Sequence, residues 1–145
     1  MKRIFLDANI IIDYMDASSS SHQMAVDVMS IIRKSSLKPY VSPITFVIAN
    51  HVLGKFIKNK SWFKNYLHLT FSAFEFTGIR SSFLDAIMKT HFTDLEDALQ
   101  HECALMAGAH IILTKNTEDF FDSKIPVAHP ADFVRRYNNL LSSGK

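Results

Sequence analysis

The sequence predicts a three-layer α/β domain with a mainly parallel five-stranded sheet. Three observations carry that expectation. Short apolar runs such as Ile4-Phe5-Leu6 and Ile111-Ile112-Leu113 recur along the chain. Between them lie segments with apolar residues at helical spacing, for example Met24, Val28, Ile31 and Ile32. The chain has 145 residues, 48% hydrophobic and 21% charged, enough to bury one core and outside the range of disordered or fibrous proteins. Parallel strands covered on both faces read as continuous apolar runs, and the crossover helices between them supply the cover.

Taken in order, the first strand is Ile4 to Leu6, ended by Asp7, and a helix spans Asn9 to Met15. The serine run Ser18 to Ser21 is a loop and cap before a helix from His22 to Lys34. Pro39 precedes a second strand, Tyr40 to Ser42, and Pro43 suits the first turn of a helix reaching about Lys58. A helix from Trp62 to Phe71, a third strand from Phe74 to Thr77 and a helix from Ser81 to His91 follow. Thr93 and Glu96 have capping-box spacing for a helix ending at Gly108. The fourth strand is Ile111 to Leu113, the fifth Pro126 to Ala128, and Pro130 opens a helix through about Leu141. With four glycines, four prolines and no linker-like tract, residues 1–145 read as a single domain.

One cysteine forms no internal disulfide, which favours a cytoplasmic protein. Asp7 and Asp13 interrupt the only candidate leader, and the apolar stretch from Ile44 to Ile57 is too short and polar to span a membrane. The formal charge of +2, from 16 basic and 14 acidic residues, conceals an asymmetry. Between Asp27 and Glu75 no carboxylate occurs, while Arg33, Lys34, Lys38, Lys55, Lys58, Lys60 and Lys64 do. A basic middle between acidic ends points to an acidic partner.

In parallel α/β sheets, ligands bind beyond the carboxyl ends of the strands. Asp7 ends the first strand, and Thr114, Asn116 and Asp119 follow the fourth. Asp94 and Asp97, three apart near a helix start, share one face, with His101 on the same stripe and Leu95, Leu99 and Met106 opposite. Three acidic loci distant in sequence are thus expected to converge. Crowded carboxylates raise one another's pKa unless a cation neutralises them, and oxygen ligands without cysteine or paired histidines favour Mg²⁺ or Mn²⁺. Taken singly, each aspartate is also explained as a helix-end charge or turn residue.

Three motifs carry a family resemblance over the whole chain. The opening Phe5-Leu6-Asp7-Ala8-Asn9-Ile10-Ile11-Ile12-Asp13, the central Asp94-Leu95-Glu96-Asp97-Ala98-Leu99-Gln100 and the closing Ile112-Leu113-Thr114-Lys115-Asn116-Thr117-Glu118-Asp119-Phe120 resemble those of PIN domains. The resemblance implies a metal-dependent ribonuclease of the kind found as virulence-associated toxins of bacterial toxin–antitoxin pairs. It implies Asp7, Asp97 and Asp119 as catalytic metal-site carboxylates, Asp94 as an auxiliary metal-site acid, Thr114 and Asn116 as positioning residues, and Asn9 as a brace. It further implies Mg²⁺ or Mn²⁺ as cofactor, RNA as substrate, an antitoxin protein as partner and a homodimer. The family's usual acid early in the helix after the second strand is missing, and Ile48 stands at or near its position. The alternative is therefore a PIN fold of reduced catalysis that binds RNA or a partner protein.

Lys55, Lys58, Lys60 and Lys64 alternate with Phe56, Trp62, Phe63 and Tyr66, a pattern suited to phosphate contact and base stacking, or equally to a solvated face over core aromatics. His101 is expected at the surface or in the cleft, or hydrogen-bonded to Asp97. Cys103 reads as a packed thiol.

Overall fold

In a computed structural model that describes residues 2–143, side-chain alternation along the central strand builds the layers. Ile4, Phe5 and Leu6 of β1 (Arg3–Leu6) are all fully buried. Ile4 and Leu6 enter one core cluster and Phe5 the other, as the two-residue strand period requires. Leu113 and Ile112 of β4 (Ile111–Leu113) divide the same way. On the Leu6 side pack α1 (Ala8–Met15), α2 (His22–Lys34), α3 (Pro43–Gly54) and α4 (Lys60–Phe71). On the Phe5 side lie α5 (Phe83–Lys89) and α6 (Leu95–Met106). The last helix, α7 (Pro130–Ser143), packs against α2.

With β2 (Lys38–Val41), β3 (Glu75–Phe76) and β5 (Val127–Ala128), the sheet order is β3-β2-β1-β4-β5. Every pairing is parallel. The chain leaves β1 toward β2 and β3, then crosses to β4 on the other side of β1. That reversal opens a crevice at the carboxyl ends of β1 and β4, where Asp7 and Thr114 stand.

The strands fall at the expected places with shifted ends, β3 being two residues where four were expected. β2 begins at Lys38 and so contains Pro39, paired with Ile4. Lys38 N–H donates to Lys2 of the β1 side, so the missing N–H of Pro39 faces the side where β3 has not yet begun. Helix ends differ more. α3 stops at Gly54, short of Lys58, because the Lys60 ammonium caps the carbonyls of Gly54 and Ile57 at 2.6 and 3.1 Å. Asn59 then starts α4 by accepting the Trp62 N–H at 3.0 Å. The capping residue of α6 is Asp94 rather than Thr93, since its Oδ1 accepts from Glu96 and Asp97 N–H groups at 2.8 and 3.4 Å. Thr117–Phe120 forms a 3₁₀ turn that the sequence pattern did not suggest.

Candidate active site

Asp7 is 3% exposed and serves two strand ends at once. Its Oδ1 accepts the Ala8 N–H at 2.7 Å, capping α1. Its Oδ2 accepts the Thr114 hydroxyl at 2.7 Å and the Asn9 amide at 3.1 Å. Asn9 also receives the Lys115 N–H on its Oδ1 at 3.4 Å, so it braces β1 against the β4 loop. Burial raises the Asp7 pKa above its ordinary value; Thr114, Ala8 and Asn9 pull it down less strongly, and Asp94 adds to the rise.

Thr114→Val removes the hydroxyl donor while keeping the shape. The expected loss is about 1.5–3 kcal/mol, typical of a hydrogen bond to a charged group. The lost bond favoured ionised Asp7, so its folded pKa rises further. The deficit, read from urea unfolding, is therefore largest at alkaline pH and shrinks on acidification as Asp7 protonates in the fold.

The N-terminal end of α6 supplies the second acidic locus. Asp97 is 8% exposed, and its pKa is pushed up to about 7, first by burial and then by Asp7, Asp94, Asp119 and Glu96. The three loci distant in sequence therefore act on one carboxyl. Asp119 arrives on the 3₁₀ turn, held by its N–H to the Asn116 carbonyl at 3.0 Å. Glu96 is a further member that sequence reasoning assigned only to helix capping. Burial, Asp94 and Asp7 raise its pKa, and its place in the Asp94–Asp97 run was the available signal.

Several expectations change. The Asn116 side chain does not cap the 3₁₀ turn; its N–H donates to Thr114 Oγ1 at 3.1 Å, so the residue contributes through its backbone. On α6 the buried residues include Asp97, Gln100 and His101 beside Ala98, Cys103 and Ala104, whereas Leu95 is 59% exposed and Leu99 packs part-buried against the core. His101 is 1% exposed and bonds the Lys124 N–H rather than Asp97. Cys103 is a buried thiol, as expected. Gln100 and Lys115 are unexpected participants. Gln100 ties α6 to the start of α3, taking the Ser42 hydroxyl at 2.5 Å and donating to Thr45 at 3.0 Å. Lys115 Nζ lies 2.5 Å from buried Asp13, an ion pair that joins the β4 loop to α1.

Ile48 is half-buried on α3, one turn beyond Thr45. Lys55, Lys58, Lys60 and Lys64 lie at the far end of that helix and along the start of α4, while the start of α3 is bonded to α6. At 1.5 Å per residue its twelve residues span about 18 Å, so the lysines lie toward the end of α3 opposite its bonds to α6. Lys60 is committed to capping. Phe63 is core, whereas Phe56 is 80% exposed and Trp62 54% exposed, with Trp62 stacked on Tyr66 at 5.0 Å. The aromatics thus divide between core and surface.

A PIN domain family profile matches residues 3–118. The chain belongs to the PIN domain family. "Ribonuclease VapC1" of Aquifex aeolicus (strain VF5) is 27% identical over 142 residues, covering 96% of this chain and 98% of that protein. Two solved structures share the fold of this PIN domain. VapBC2 from Rickettsia felis bound to a DNA fragment from their promoter gives a TM-score of 0.68 at 15% identity, covering 88% of this chain and 98% of that one. VapBC-1 from nontypeable Haemophilus influenzae gives 0.66 at 17%, covering 89% and 98%.

The donors of this PIN domain fit a hard divalent cation. They are carboxylates, and the repulsion that adds to burial in raising Asp97 is what such a cation relieves. Among the described residues, no three acidic, imidazole or thiol groups stand close enough to enclose one ion. A site of one or two carboxylates completed by water and substrate phosphate, as Mg²⁺ commonly uses, matches that arrangement.

Proposed function

We propose that this PIN domain is a divalent-metal-dependent endoribonuclease that hydrolyses RNA phosphodiesters as the toxin of a toxin–antitoxin pair. The observation that carries the reading is buried Asp97 with Asp7, Asp94, Asp119 and Glu96 about it: burial first, and then these neighbours, raise its pKa to about 7. The likeness to a curated ribonuclease over nearly the full length of both chains supports it. One or two carboxylates from the set Asp7, Asp97, Asp119 and Asp94 would hold Mg²⁺ or Mn²⁺, with water and substrate phosphate completing the site. That ion would supply Lewis acidity and a water of lowered pKa. The chain's own part is positional: Thr114 and Asn9 fix Asp7, the Asp94 cap fixes the first turn of α6, and the Asn116 carbonyl fixes the turn bearing Asp119.

Lys55, Lys58 and Lys64, with Trp62 and Phe56 beside them, would hold more distant parts of the RNA backbone. An antitoxin is the natural protein partner, and Val47, Leu69, Leu84 and Met88, each more than half exposed, supply apolar surface for it or for a second copy in a homodimer. Among the described residues, no helix is long and apolar enough to cross a membrane. One domain spans the chain in this reading, and its place of action is the cytoplasm.

The test is cleavage of mixed RNA in Mn²⁺ or Mg²⁺ by wild type and by Asp7→Asn, together with melting temperatures with and without Mn²⁺. Wild type is expected to cut and to gain stability from the ion; Asp7→Asn is expected to lose most of both. A second reading is favoured by one observation, the isoleucine at position 48 where the family's acid is expected. In it the fold binds RNA or protein without cutting. Equal cleavage by wild type and mutant, with no Mn²⁺ stabilisation of either, selects that reading.

A further inference from the structure

His101 is buried between α6 and the segment joining Asp119 to β5, at a cost in polar satisfaction. Its Nε2 accepts the Lys124 N–H at 3.1 Å. Its Nδ1 has no hydrogen-bond partner; the nearest acid, Glu102, is 3.8 Å away. The ring lies 5.1 Å from Phe92, which makes an edge contact with Phe120 at 5.6 Å. A leucine would fill the same space without leaving a buried nitrogen unpaired. What the imidazole alone supplies is an acceptor for a backbone donor on the far side of the acid cluster.

We propose that His101 is a positioning residue of the nuclease site, clasping the segment that carries Asp119 to the helix that carries Asp97. The proposal rests on the ribonuclease reading above. His101 lies one turn beyond Asp97 on α6, and Lys124 lies five residues beyond Asp119, so the bond spans the two elements whose spacing sets the acid cluster. Phe120, 2% exposed, anchors the turn in the core from one side, and the clasp holds its exit. The bond requires Nε2 to be bare. Burial and the nearby Lys124 favour the neutral ring over the opposing pull of Asp122.

The experiment compares His101→Leu, which keeps apolar volume and removes the acceptor, with His101→Gln, whose amide oxygen restores one. Cleavage of a single-stranded RNA in Mn²⁺ is expected to show kcat lowered about 10- to 100-fold by His101→Leu with KM for RNA little changed. His101→Gln is expected to recover most of the loss. A His101→Leu variant as fast as wild type overturns the proposal, as does a folded His101→Gln variant as slow as His101→Leu. Nitrogen NMR of the wild type adds an arm that needs no variant to fold. His101 is expected to carry its proton on Nδ1, with a slowly exchanging Lys124 amide; a proton on Nε2 at neutral pH overturns the clasp. Failure of the ribonuclease reading looks different. Wild type would then neither cut RNA nor gain stability from Mn²⁺, which removes the catalytic role of His101 even where NMR still reports its bond.

Discussion

Asp97→Asn is expected to cost RNA cleavage on the order of 10²–10³-fold, the loss usual when one preorganised electrostatic group is removed, and to make the metal-free protein more stable. The two effects share one cause. The Asp97 pKa rises from 3.8 to about 7 in the fold, so its protonated form is the one the fold tolerates. Folding is therefore penalised above the unfolded value, increasingly as pH climbs toward 7 and fully beyond it. At about 1.4 kcal/mol per pKa unit the full shift corresponds to roughly 4 kcal/mol. Solvent reaching the mouth of the cluster screens it, and about 2 kcal/mol is the expected gain for asparagine at pH 8. A chain of this size gains roughly 3 °C of melting temperature per kcal/mol, hence about 6 °C. The difference should vanish near pH 4, where wild-type Asp97 is protonated in the fold. Millimolar Mn²⁺ should reverse the ranking, raising wild type more than the mutant. Equal melting temperatures at pH 8 without metal would show that burial and the neighbouring acids do not penalise ionised Asp97 as described.

Phe5→Ala is expected to lower stability by about 3–5 kcal/mol, the range for a large aromatic removed from a packed core. Phe5 is fully buried on the central strand, in register between Tyr40 of β2 and Ile112 of β4. On its face of the sheet it meets the cluster of Phe83, Phe92, Ala98 and Phe120. The loss approaches the whole stability of an ordinary domain. It corresponds to roughly 10–15 °C in melting temperature. In urea the midpoint should fall with little change of slope, since the fold reached is the same. Because Phe5 lies two residues before Asp7, cleavage should fall in proportion to the unfolded fraction and return on cooling. A variant that melts normally yet fails to cut would instead show that Phe5 shapes the site.

The sheet was legible in the sequence because buried parallel strands must be apolar runs. β1 and β4 announce themselves, and Asp7 and Thr114 mark their ends with polar groups that cannot continue into the core. The acidic loci were legible because strand ends and helix starts are where an α/β sheet gathers ligands. Exact helix ends were not, since they depend on distant or competing donors. Lys60 reaches back to end α3, and Asp94 outcompetes Thr93 as a cap. The buried side of α6 was not legible for a related reason. Its wheel showed leucines on one face, but the helix lies with its polar stripe inward, where Gln100 finds Ser42 and Thr45, and His101 finds Lys124. Those partners come from 58 and 23 residues away, and no local spacing reveals them.

The bond between Thr114 and Asp7 joins residues 107 apart. Ribosomes add about 5–20 residues each second, so Asp7 precedes its partner by roughly 5–20 s during synthesis. Over that interval the nascent chain holds β1 and its aspartate but neither the strand nor the turn that completes the acidic crevice. The acidic crevice is therefore a late product of synthesis, closed only once residues more than 100 positions apart have both emerged.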